Sequence, residues 1–144
     1  MNKKYELLVD DTITFLDWKL FRIKALISFG SVEAGELGGY VAKEGNLSHD
    51  GDAWVYGDAR VYGNAWVSGD ARVKSLKDYI VFKNNWSSGR YFTYTKSNKM
   101  WRAGCFYGAG QELINEAYKD NENSGKHYEA YVNFVKILEE LENE

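Results

Sequence analysis

The stretch "GDAWVYGDARVYGNAWVSGDARV", residues 51–73, repeats every six residues, and few backbones tolerate that period. Aligned on valine it reads Val55-Tyr-Gly-Asp-Ala-Arg, Val61-Tyr-Gly-Asn-Ala-Trp, Val67-Ser-Gly-Asp-Ala-Arg, then Val73. Each alanine lies two before a valine, so extended backbone points both to one face and sends Trp54, Arg60, Trp66 and Arg72 to the other. Gly57-Asp58, Gly63-Asn64 and Gly69-Asp70 tolerate positive φ and mark a corner after each short strand. A helix is disfavoured, because six is a poor multiple of about 3.6 residues per turn and each unit contains a glycine. Strand plus corner in every unit predicts a solenoid. Leu47 and Val41 join the series if two residues loop out around His49-Asp50, which gives inward positions 41, 47, 55, 61, 67 and 73, or about two coils. So few coils cannot bury their own ends, since about three repeats are needed. The flanks must cap them, or another chain must.

The flanks suit that task. Residues 1–30 read as an antiparallel β cap: "YELLV" and "TITFL" flank Asp10-Asp11, and "LFRIKALI" alternates apolar with charged residues. Residues 31–75 hold the repeats. Residues 76–144 read as three strands and two helices. "YIVFKN", "RYFTYTK" and "KMWRAGCF" are the strands, with turns at Trp86–Gly89 and Ser97-Asn98. "GQELINEAYKD" and "HYEAYVNFVKILEELE" follow with helical periodicity, and Asn123 or Ser124 is the expected N-cap beside a break at Gly125. The expected class is mainly β with C-terminal helices (α+β), folded as one unit.

Several functions are disfavoured. No secretory signal follows the first lysines, and no apolar run approaches the roughly 20 residues of a membrane span, so a cytoplasmic protein is expected. Cys105 is the only cysteine. It excludes an internal disulfide and a multi-cysteine zinc site, and it reads as a small buried hydrophobe. No dinucleotide, phosphate-loop, zinc or nucleophile-elbow motif occurs, so no cofactor, metal or catalytic residue is expected. Net charge is −3, but residues 74–102 hold seven basic groups and one acidic, and residues 103–144 hold three basic and nine acidic. Two such stretches can pack side by side and neutralise each other.

The hexads resemble the hexapeptide-repeat, left-handed β-helix family. That resemblance implies a two-coil left-handed β-helix between the flanks, with homo-oligomers through its open ends. Many members are acyltransferases with a catalytic histidine. Here His49 falls in the loop-out as a surface residue and His127 at a helix start, neither beside a nucleophile or paired carboxylate. An acyltransferase-like enzyme is the weaker alternative, and it predicts turnover abolished by His49→Ala.

A binding role is the main expectation. Trp54, Tyr56, Tyr62, Trp66 and Arg72 project from the coils, with Trp86 and Arg90 nearby, and Tyr, Trp and Arg are the residues enriched at interface hot spots. Two alternatives draw on other residues. Gly108 and Gly110 at a helix start, with Arg102, could hold an anion or nucleotide phosphate. Lys83, Arg90, Lys96, Lys99 and Arg102, interleaved with aromatics over 79–102, could bind nucleic acid. A second resemblance covers most of the chain: the Phe29–Tyr40 approach, "GDAWVYGDA" and "NNWSSGRYFTYT…WRAGCFYGAGQEL" look like small uncharacterised proteins encoded by bacteria and their phages. It implies a phage or prophage accessory factor that inhibits a host defence, anti-CRISPR-like in action, with a host protein as partner and no membrane.

Overall fold

The computed structural model describes residues 3–143. Met1, Asn2 and Glu144, the outermost residues of the expected cap and lobe, lie outside the described residues. The N-terminal flank is a long hairpin, β1 (Tyr5–Phe15) and β2 (Trp18–Ala25), which continues antiparallel into β3 (Leu37–Val41). β1 does not stop at Asp10-Asp11, as expected from the acidic pair. It runs through them as one strand whose register shifts between Leu8 and Thr12, because a bulge absorbs the pair at the sheet edge. The hexads supply three two-residue strands, β4 (Trp54–Val55), β5 (Arg60–Val61) and β6 (Arg72–Val73). The C-terminal flank is a four-stranded antiparallel sheet in the order β10-β9-β8-β7, built from β7 (Tyr79–Lys83), β8 (Tyr91–Thr95), β9 (Met100–Ala103) and β10 (Phe106–Ala109). Helices α1 (Gly110–Asp120) and α2 (Glu122–Glu142) close the chain.

The left-handed β-helix is not the fold. The chain is mixed α+β, and its regular structure is mostly antiparallel sheet and two helices. A wound solenoid grows through continuous parallel sheets that stack coil upon coil. Among the described residues parallel pairing is limited to Tyr40-Val41 with Arg60-Val61, Trp54-Val55 with Arg72-Val73, and a bridge from Leu47 to Val67. The first of these joins an otherwise antiparallel sheet, β1-β2-β3-β5. Val41, Leu47, Val55, Val61, Val67 and Val73 are nonetheless all buried, together with Ala53, Ala59, Ala65 and Ala71. The hexads form an apolar plug between two antiparallel sheets.

Side chains of the flanks seal that plug. On one side Tyr79 donates its hydroxyl to Arg60 C=O at 2.9 Å, Trp66 N–H donates to Thr93 Oγ1 at 3.0 Å, and Arg72 N–H donates to Ser97 Oγ at 2.8 Å. Three equivalent hexad positions each meet one hydroxyl. On the other side Lys4 Nζ donates to Ala53 C=O at 2.7 Å and the Tyr5 hydroxyl to Leu47 C=O at 2.6 Å. Arg22 Nη1 donates to Gly38 C=O at 2.7 Å and its guanidinium pairs with Asp11 and Asp58. Both open edges are thus met by side chains of this chain's own flanks.

The C-terminal sheet has two occupied faces, as strand alternation requires. Tyr79, Val81, Thr93 and Thr95 turn toward the hexads, while Ile80, Phe82, Phe92, Tyr94 and Trp101 pack on Leu113, Ile114, Val132 and Val135 of the helices. The second helix begins earlier than expected. Asn121 is its N-cap, accepting from Ser124 N–H at 2.8 Å, and Gly125 lies buried inside it under the Tyr118 ring. Gly125 is there because a side chain would collide with that ring, not because the helix breaks.

Candidate partner-binding cleft

The exposed part of the hexad stretch opens into a polar cleft of about 480 Å³, lined by Asp52, Tyr56, Asp70, Arg72, Ser97 and Asn98 with the Gly30-Ser31 turn. Two neighbouring strands build it. The register Trp54↔Arg72 stacks equivalent hexads, so Asp52 comes to lie beside Asp70 and Tyr56 beside Lys74. The turn after β8 closes the cleft: Ser97 Oγ accepts from Arg72 N–H, and Asn98 Nδ2 donates to Asp70 Oδ1 and to the Tyr107 hydroxyl, both at 3.0 Å. Arg72 is exposed, and among the described residues no carboxylate lies within ion-pair distance of its guanidinium.

The structure brings together only two of the expected contact residues, Tyr56 and Arg72. Trp54 is 0% exposed, its ring 5.3 Å from Phe29 and 6.3 Å from Tyr5, so it presents no surface to a partner. Tyr62 is half-buried between Phe15 and Trp18, at 5.6 and 6.0 Å. Trp66 is half-buried beneath the Arg102 guanidinium, 3.8 Å above its ring. Trp86 stacks on His127 at 4.5 Å and donates Nε1–H to Ser124 Oγ, tying the turn after β7 to α2. Arg90 is exposed against Gly104 and does not line the cleft. Lobe coverage, invisible to local periodicity, removes most of the aromatic surface.

The anion reading fares differently. Gly108 and Gly110 do flank the start of α1, but Ala109 N–H already donates to Glu112 Oε1 at 3.1 Å, so the chain's own carboxylate occupies that end. A Cβ on Gly110 would sit 2.8 Å from Val132 Cγ1, which explains the glycine by helix–sheet packing. Arg102 is on the opposite face of the sheet, over Trp66. Two of the five basic residues of that segment are paired with the acidic tail: Lys99 with Glu139 at 2.8 Å and Lys96 with Glu142. Tyr94 donates to Glu139 as well, and the Lys99 ammonium and Tyr94 hydroxyl hold that carboxyl below its ordinary value against the opposing effect of burial.

His49 is not a free surface residue. Its ring stacks on Tyr5 at 4.2 Å, and Nδ1 accepts from Lys4 N–H at 3.1 Å. Burial lowers its affinity for a proton, so it serves as a neutral acceptor for the backbone. Cys105 is exposed at the β9–β10 turn, where Gly104 adopts φ +61°, because so tight a turn leaves nothing to cover it. Among the described residues no group of three His, Cys, Asp or Glu could hold a metal, and no helix is long and apolar enough to cross a membrane.

Sequence reasoning missed Asp52, Asp70, Ser97 and Asn98. The first two carried a readable signal, since they stand three hexads apart, as do Trp54 and Arg72. Ser97 and Asn98 carried none beyond turn propensity. Compared with protein-family models and with curated proteins, the chain matches none.

Proposed function

We propose that the chain acts without catalysis, by binding a protein partner through the cleft around Tyr56 and Arg72. The observation that carries this reading is an exposed guanidinium with no ion-pair partner among the described residues, beside a tyrosine ring, in a cleft that also offers two carboxylates and an amide. Arg and Tyr contribute disproportionately to protein interfaces, and mixed charge selects a polar segment of defined register. Resemblance to phage- and prophage-encoded proteins adds the setting: a cytoplasmic accessory factor whose partner is a host protein, with inhibition of a defence nuclease such as a CRISPR effector as the activity.

The nucleic-acid reading loses support because Lys96 and Lys99 are engaged by Glu142 and Glu139 and Arg102 lies on Trp66. The acyltransferase reading drew on the coil motif, and the corrected fold removes that ground. Affinity capture from a bacterial lysate tests the proposal. The wild-type chain is expected to retain a discrete protein that Arg72→Ala combined with Tyr56→Ala releases, with circular dichroism unchanged. Equal retention by both chains, or none by the wild type, would overturn it.

A further inference from the structure

Strand β7 is an open edge. Asp78 C=O accepts Lys96 N–H at 2.9 Å, and Asn84 N–H donates to Arg90 C=O at 2.8 Å, so the hydrogen-bonded pairs with β8 fall on even positions. Antiparallel pairing alternates, which leaves the N–H and C=O groups of Tyr79, Val81 and Lys83 pointing away from β8. Tyr79 and Val81 line a cleft of about 380 Å³ together with Leu76, Tyr62, Gly63 and Asn64. The usual guards are missing: β7 pairs without a register shift, it contains no proline, and its one charge, Lys83, stands at its end. By contrast, the β1 edge carries a bulge and Asp10-Asp11.

A helix overhangs that same edge. Ala130, Phe134, Ile137 and Leu141 recur at intervals of four, three and four on α2, the spacing of a coiled-coil seam. Phe134, Ile137 and Leu141 are 47%, 55% and 58% exposed, whereas Val132 and Val135 fill the core. The seam lies on the β7 side. Phe134 is 6.4 Å from Phe82, and Leu141 borders a groove with Tyr79 and Ile80. On the far flank α1 covers β9 and β10.

We propose that a second copy of this chain docks here, β7 against β7 and α2 against α2, in a twofold dimer. The distances suit it. The Tyr131 ring stands 5.0 Å from Phe82 and 5.3 Å from Phe92, a pair facing each other across β7 and β8, so α2 runs above the gap between these strands. A twofold axis opposite Val81 places Tyr79 across from Lys83 of the second copy. With strands about 4.8 Å apart, it sets the two α2 axes about 10 Å apart, at the upper end of the roughly 8–10 Å of packed helices. The seams then meet antiparallel, Phe134 beside Ile137 of the second copy. Charge agrees with this orientation. Lys83 of one copy approaches the end of the other's α2 that holds Glu139, Glu140 and Glu142, two of which, Glu139 and Glu142, are already paired with Lys99 and Lys96.

Light scattering of the full chain during size exclusion is expected to give twice the 16.5 kDa of the monomer. Phe134→Lys with Ile137→Lys alters only exposed positions, and each change acts twice in a twofold interface, so dissociation should strengthen by at least about a hundredfold. Amide exchange provides a reading that needs no variant: protection of Tyr79, Val81 and Lys83 rises with protein concentration. A wild-type monomer throughout, a dimer that survives the double substitution, or edge amides indifferent to concentration would each overturn the proposal.

Discussion

Asn46 offers the sharpest test of how the plug is held together. It is 0% exposed and uses all four of its hydrogen-bonding positions. Oδ1 accepts from Ala42 N–H and Lys43 N–H, both at 3.1 Å, while Nδ2 donates to Gly63 C=O at 3.1 Å and Ala65 C=O at 2.9 Å. Asn46→Asp keeps the shape and converts the donor into an oxygen that faces two carbonyls. Each buried polar group left unpaired costs about 1–3 kcal/mol, so two of them plus the buried charge should remove about 3–5 kcal/mol at neutral pH. That is a large share of the roughly 5–15 kcal/mol a domain possesses. Acid should partly repair the variant, because a protonated carboxyl can donate to one carbonyl. Its folded pKa therefore lies above the unfolded value of about 3.9. A raised folded value contributes stability that is complete below the unfolded value and is lost as pH climbs through the folded one. The deficit relative to wild type should thus shrink as pH falls from neutral toward about 4.5. Urea unfolding followed by tryptophan fluorescence at the two pH values measures it. A deficit under about 1 kcal/mol at neutral pH, or one that grows on acidification, would refute the reasoning.

Thr93 is buried and caps Trp66 N–H, so Thr93→Val should cost about 1–3 kcal/mol in urea unfolding, and Thr93→Ser, which keeps the oxygen, should cost less. Lys4 is buried, and desolvation lowers its pKa to about 8, against the attraction of Asp52 and Asp50. The unfolded chain therefore binds more protons between that value and 10.5, and stability should rise with pH by up to about 1.4 kcal/mol per unit there until Tyr5, Tyr79 and Tyr94, all raised by burial, reverse the trend above about pH 10. In Lys4→Met the rise should vanish from a series of chemical melts, and a slope unchanged by the substitution would refute the assignment.

What local pattern can encode was legible. The valines at intervals of six pointed inward, as the alternation with alanine required, and two helices formed over the amphipathic stripes, the second beginning earlier than expected, at Glu122. What depends on distant partners was hidden. Trp54 sits at an outward position by strand alternation, yet Tyr5 and Phe29, remote in sequence, cover it. His49 looked solvated because nothing nearby in sequence marks it as the acceptor for Lys4 N–H. The larger error, a wound ribbon, came from extending a local period to a global architecture. Six-residue periodicity specifies a short strand, a corner and an inward side chain, but it does not specify how many coils stack. That number is set by whatever meets the edges.

Here the edges of the plug are met by hydroxyls and cations. A strand edge invites another strand because its N–H and C=O groups lack partners. Tyr79, Thr93 and Ser97 satisfy one such group on each of three successive hexads, and on the opposite side Lys4 and Tyr5 satisfy the carbonyls of Ala53 and Leu47. A further coil would have to displace these bonds before forming its own, for little net gain, since each exchange replaces one hydrogen bond by another. Termination of the repeat is thus built into the flanking strands. The same alternation that aims Tyr79 and Val81 at the hexads aims Ile80 and Phe82 at α2, and it leaves the backbone of β7 as an unguarded edge beside an apolar helix face. With the plug sealed from within, the edge on which the proposed dimer rests is β7, at the outer rim of the second sheet.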